Sequence, residues 1–264
     1  MNKYLQIFAT SFKQESKTIA NTLISAGSFI VIMFIFYQLW GYIYGESGSG
    51  QLISGYSLQM MIWYLVGTEL VMYVVNSRRV TNQFSADIKS GRLAYQLNKP
   101  YNYFFYMVFS TMGQVTFKFI FLLPITMLFG IILVGLPSYN LAYLILIFFS
   151  IFLAIFTISL IYGVIGLLAF WVEEATPFTW IVNKFFMILG MFFPPELFPS
   201  WLQPAIIYSP VYATLSGPCK LLADFSWNNF LNVSLSQIAW GGFFVLLGIL
   251  LFNKGTKKVN INGG

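Results

Sequence analysis

Residues 191–218 read MFFPPELFPSWLQPAIIYSPVYATLSGP. The stretch is apolar enough for a bilayer, yet it contains Pro194, Pro195, Pro199, Pro204, Pro210 and Pro218. Proline removes a backbone donor and collides with the preceding helical turn, so a continuous crossing helix does not fit this spacing. Short half-helices that dip into the membrane and return satisfy both facts. Such backbone is tolerated only where it is buried in protein or faces a water-filled cavity. Residues 194–218 therefore predict a re-entrant segment set among regular spans.

Composition supports this setting. Of the 264 residues, 58% are hydrophobic and 8% are charged, against about 25% charged in a soluble domain. A soluble chain of this kind would expose large apolar patches and aggregate. The apolar runs predict an all-α integral membrane protein with about six transmembrane helices, at about 22–44, 57–76, 113–135, 141–171, 177–193 and 229–252. Spans of about 20 residues consume much of the chain, so it is read as one transmembrane domain over 1–264. Residues 101–116 precede the third span as an interfacial or helical extension. Thr176 followed by Pro177 reads as a helix start. No cleavable signal peptide is expected, because the polar start is long and the first apolar run ends in Trp40, Tyr42 and Tyr44.

Leu5, Phe8 and Phe12 fall on one helical face among Lys3, Lys13 and Lys17. Residues 3–19 thus read as an interfacial helix lying on the headgroups, with a frayed tail as the alternative. Lys3, Lys13 and Lys17, then Arg78, Arg79, Lys89, Arg92 and Lys99, then Lys254, Lys257 and Lys258 all fall on one side in a six-span arrangement. The loops 45–56 and 136–140 have no basic residue. Basic residues collect on the cytoplasmic side, so both ends are expected inside and the 194–228 segment outside.

Several chemistries are excluded. The chain has no histidine and one cysteine, Cys219, which leaves no Ser–His or Cys–His nucleophile pair, no disulfide framework and no cysteine metal cluster. Glu173-Glu174 resembles the paired glutamates of CAAX-type membrane proteases, but those enzymes also need histidines. No phosphate-binding loop G-x-x-x-x-G-K-[ST] occurs, and GPCK at 217–220 is not one. No catalytic residue, metal or cofactor is expected. The positive charge reads as a topology signal and not as a nucleic-acid surface.

Two features invite a role. Val80, Phe84 and Ile88 make a narrow apolar stripe within the basic stretch 77–100, and Ser90-Gly91 can end that helix. Such a helix can dock into a groove on a soluble partner or lie on headgroups. Glu69 lies inside the second span, where a carboxylate needs a partner or a task. Lys118 is its expected partner in a structural ion pair, with a proton relay as the sharper alternative.

The order of these parts resembles the permease subunit of ABC-2 type exporters. Phe193-Pro194, Phe198-Pro199, Trp201-Leu202 and Pro210-Val211 are similar to that family's proline-bearing pattern between its last two spans. Ile88, Gly91, Leu93, Leu97 and Pro100 are similar to a segment of a bacterial subgroup of about 260-residue ABC-2-like permeases. The resemblance implies one transmembrane half of an exporter in a prokaryotic cell membrane, without its own ATPase site. It would pair with a second permease, identical or related, and each half would engage a cytoplasmic ATPase. Val80, Phe84, Ile88 and Gly91 would receive the force, and Pro194, Pro195, Pro199, Trp201 and Pro210 would line or cap the outer exit. The aromatic spans suit a lipid-like or amphipathic cargo, though packing explains them equally. The alternatives are an ion-gradient-driven secondary transporter, against which stands the lack of an internal repeat, and a non-transport membrane scaffold.

Overall fold

A computed structural model describes residues 3–46, 52–75, 77–172 and 174–262. Part of the expected outer loop 45–56, and Glu173 of the acidic turn, lie outside these residues. The described chain is helical: α1 (Lys3–Ser16), α2 (Ile19–Glu46), α3 (Leu58–Val74), α4 (Ser77–Lys89), α5 (Arg92–Leu97) and α6 (Tyr103–Val134) come first. They are followed by α7 (Leu144–Leu167), α8 (Thr176–Phe186), α9 (Gln203–Ile207), α10 (Gly217–Ala223) and α11 (Trp227–Asn262).

Among the described residues, five helical stretches are long and apolar enough to cross a membrane: Thr22–Gly45, Leu58–Lys89, Tyr103–Val134, Leu141–Phe170 and Trp227–Lys258. The fifth expected span, 177–193, is shorter. There the 11-residue α8 runs into a five-residue π turn, Met187–Met191. At about 1.5 Å per residue these reach about 24 Å, less than the hydrocarbon thickness of about 30 Å. The chain then breaks at Pro194 and Pro195. The expected cap at Thr176 is also different. Ala175 precedes the first turn with no side-chain cap bond, and the Thr176 hydroxyl donates to Asn82 Oδ1 at 2.9 Å.

α3 and α7 form the centre. From Met61 to Val71 every α3 side chain is buried, as are those of α7 from Thr157 to Leu167. A helix buried all round is apolar all round, which explains why neither has a polar stripe. α2 is peripheral. It buries Thr22, Ala26, Phe29, Met33, Trp40 and Tyr44 along one face and exposes Ile24, Val31, Ile35 and Leu39 along the other.

α6 has 32 residues, about 48 Å of helix, which exceeds the bilayer core by about three turns. Asn102 caps it by accepting from the amides of Phe104 and Phe105. The 101–116 stretch is therefore a continuous helical extension. α1 docks along that extension. Phe8 and Phe12 of α1 pass so close to Gly113 that a Cβ there would lie 2.3 Å from the Phe8 carbonyl oxygen. Ser11 and Ser110 share a hydrogen bond of 2.9 Å, and the Tyr4 and Phe109 rings stack at 5.3 Å.

The proline-rich segment folds as short pieces: a 3₁₀ turn Pro195–Leu197, α9, a π turn Tyr212–Ser216 and α10. Nearly every side chain from Val211 to Ala223 is buried. Side chains of α3 and of the 136–140 turn bond the backbone at its two edges. The Tyr64 hydroxyl donates to the Gly190 carbonyl at 2.5 Å, Thr68 to that of Met191 at 3.1 Å, and Tyr139 to that of Leu222 at 3.0 Å. These bonds replace the water that a membrane interior lacks.

Candidate functional site

α4 follows α3 at the end of the stretch Leu58–Lys89 and precedes α6. Its apolar stripe points into the protein. Phe84 has 0% exposure, Val80 is buried and Ile88 is half-buried. Phe84 meets the Tyr103 ring edge-on at 5.6 Å, and its Cβ and ring press on Gly166 of α7, where an added Cβ would come within 2.7 Å. Only glycine admits that approach. The stripe, read in the sequence as able to dock on a soluble partner or lie on headgroups, is instead covered at Phe84 by the chain's own core. Helical periodicity identifies an apolar face without identifying what covers it.

Polar contacts tie α4 to three neighbours. Thr81 and Thr179 hydroxyls bond at 2.8 Å. Asn183 donates to Ser77 Oγ at 2.9 Å and accepts from the Tyr162 hydroxyl. Asp87, buried, accepts from Tyr103 and pairs with Arg92 at 3.2 Å. Gly91 follows with φ +70°, the left-handed turn that glycine adopts without strain. Asn82, Gln83, Ala86 and Lys89 form the exposed face.

Glu69 is not paired with Lys118. It is 5% exposed within α3, and no cation lies within 4 Å of its carboxylate among the described residues. Lys118 instead meets Glu15 of α1 at 3.3 Å, and Arg79 of α4 meets the same carboxylate at 3.2 Å. The reason is the packing of α1 along the first half of α6, which brings Glu15 to Lys118. One buried acid thus joins α1, α4 and α6. The Leu5, Phe8 and Phe12 face was visible in the sequence, but nothing in it pointed to Glu15.

At the other end, Pro194 and Pro195 are buried, Pro210 is half-buried, and Pro199 and Trp201 are exposed, Trp201 by 77%. The polar work there falls to residues the sequence did not mark. Glu196 pairs with Lys220 and accepts from the Tyr56 hydroxyl at 3.1 Å. The Tyr44 hydroxyl holds the Tyr56 carbonyl at 2.7 Å. Burial, with Glu196 beside it, raises the Tyr56 phenol above the ordinary tyrosine range.

No curated protein matches the chain. A family model described as ABC-2 family transporter protein matches residues 23–263, nearly the whole chain. With its multi-pass helical architecture, the chain belongs to the ABC-2 transporter family as a membrane permease component.

Proposed function

We propose that this permease is one half of an exporter, pairs with a second permease, and receives its driving force from a cytoplasmic ATPase at the outer face of α4. The membrane is a prokaryotic cell membrane and the cargo an amphipathic molecule. The observation that carries this reading is the mounting of α4. Its inner face is wedged against α6 and α7 through Phe84 and Gly166, while Asn82, Gln83, Ala86 and Lys89 remain uncovered. A push on that face cannot be absorbed by a soft contact, because packed interiors transmit displacement. Glu15 extends the mounting to α1. Val80, Phe84, Ile88 and Gly91 then act as the seat of the coupling helix and not as its contact surface. The 194–218 segment closes the outer end, with Glu196, Lys220 and Tyr56 as its polar latch.

The test is purification of the tagged permease from its native membranes, followed by measurement of ATP hydrolysis in the eluate. Wild type should carry an ATPase. Ala86→Trp, which places a large ring on the exposed face, should lose it by at least about tenfold, the loss expected when an interface is blocked near its centre. Equal activity with both proteins places the contact elsewhere. No ATPase with wild type argues for a gradient-driven transporter.

A further inference from the structure

A cleft of about 650 Å³ opens between the re-entrant segment and the first turns of α11. That volume is in the range of small-molecule sites. Asn229, Asn232 and Ser236 line one wall at spacings that share a helical face, with Lys220, Tyr212 and Trp240 around them. The polar wall is unusual for a membrane-length helix. Amide side chains cost free energy in hydrocarbon unless something bonds them, and the side chains of Asn229, Asn232 and Ser236 have no hydrogen-bond partner among the described residues. Gln237, one residue on, shows the contrasting use. It turns inward and donates to the Ser150 carbonyl at 2.9 Å.

The charge in the cleft is already matched, since Lys220 pairs with Glu196. No free cation or anion is left among the lining residues to select a charged ligand. What remains is amide and hydroxyl groups beside aromatic rings. Amides offer donors and acceptors together, and flat rings pack on the C–H faces of a polyol ring. The apolar rim at Ile207, Leu235 and Ala239 is exposed, and Leu231 and Ile238 continue an exposed apolar surface along α11. We infer that this cleft binds an amphiphile with an uncharged, hydroxyl-rich head, the head on Asn229, Asn232 and Ser236 and the chain along the rim. Binding requires neither the ATPase nor the coupling role of α4, so it stands or falls separately from the proposed function.

The test uses the whole permease in phosphatidylcholine nanodiscs and a dodecyl maltoside with a photoreactive diazirine in its alkyl chain. Labelling should concentrate on residues 207–240 and be relieved by octyl glucoside but not by dodecylphosphocholine. Asn232→Leu with Ser236→Leu should reduce labelling by about tenfold, the loss expected for two hydrogen bonds. Both changes make a membrane helix more apolar, so insertion is not at risk, and a monodisperse elution profile verifies it. Equal labelling of the double variant, or equal relief by the phosphocholine, overturns the inference. So does a disulfide between two copies carrying Asn232→Cys, since it would assign the polar wall to a contact between permeases.

Discussion

Lys118 in α6 and Glu15 in α1 form an ion pair at 3.3 Å, and the same carboxylate holds Arg79 of α4 at 3.2 Å. Glu15 is buried and Lys118 nearly so, whereas Arg79 is about half exposed. The pair with Lys118 therefore dominates, because exposed pairs contribute at most about 1 kcal/mol. Glu15→Gln strands the lysine, and breaking a buried pair costs about 3–5 kcal/mol. The expected result is a clear fall in thermal stability of the detergent-solubilised permease. Adding Lys118→Met should recover most of the loss, since replacing both members is close to neutral. A single variant as stable as wild type sinks the pair. Glu69→Gln, by contrast, should tolerate Lys118→Met with no coupling between the two changes.

Gly190 lies in the π turn after α8, where it meets the proline-rich segment. A Cβ there would come 2.4 Å from Val211 Cγ1, and the branched Val211 side chain cannot swing away cheaply. Gly190→Ala should cost about 1–3 kcal/mol, as overpacked cores do. Val211→Ala in the same chain should restore stability by clearing the methyl group. Failure of that rescue in a thermal melt shows that the clash is not the cause.

Orientation follows from the basic residues and can be checked at exposed positions. A cysteine at Ser200 should react with an impermeant thiol reagent on intact cells, and a cysteine at Lys89 only after permeabilisation. Both positions are exposed, and Cys219 is buried, so the native thiol adds little background. Labelling of Lys89→Cys on intact cells inverts the topology.

The parts legible in the sequence are those set by local rules. Long uncharged runs predict spans because a bilayer demands them, and the prolines from Pro194 to Pro218 forbid a span there for an equally local reason. The helix at 77–89 and its stop at Gly91 follow from periodicity and a left-handed glycine. What was not legible is what each polar or apolar face meets. Phe84 reads as a free anchor until Gly166, 82 positions later, supplies the notch that receives it. Lys118 finds Glu15 only because α1 folds back along α6. The latch of Tyr56, Glu196 and Lys220 joins three distant segments, and a single residue in each carries no periodic signal.

The latch responds to alkaline pH. Burial raises the Tyr56 phenol above its unfolded value of about 10, and Glu196 adds to the shift. Above that pH the unfolded chain releases the proton while the folded chain retains it, so stability falls as pH rises past about 10. The slope from this one group is at most about 1.4 kcal/mol per pH unit. Tyr56→Phe should cost about 0.5–1.5 kcal/mol below pH 9, the worth of one hydrogen bond, and should remove this contribution above pH 10. Parallel stability curves for the two proteins from pH 9 to 11 contradict the assignment.

Phe84 separates a structural seat from a docking anchor. Its ring is fully buried against Tyr103 and Gly166, so Phe84→Ala leaves a cavity at the joint of α4, α6 and α7. Truncating a buried phenylalanine costs about 3–5 kcal/mol. The variant should show lower folded yield and a lower melting temperature in the absence of any ATPase. Phe84→Leu, which retains most of the volume, should lose less than half as much. A ring that served an ATPase pocket would behave differently. Its removal would leave the isolated permease as stable as wild type and weaken only the complex. Measuring the melting temperature of the purified permease alone, for wild type and both variants, distinguishes the two. An unchanged value for Phe84→Ala would show that the ring leaves the core in the working protein.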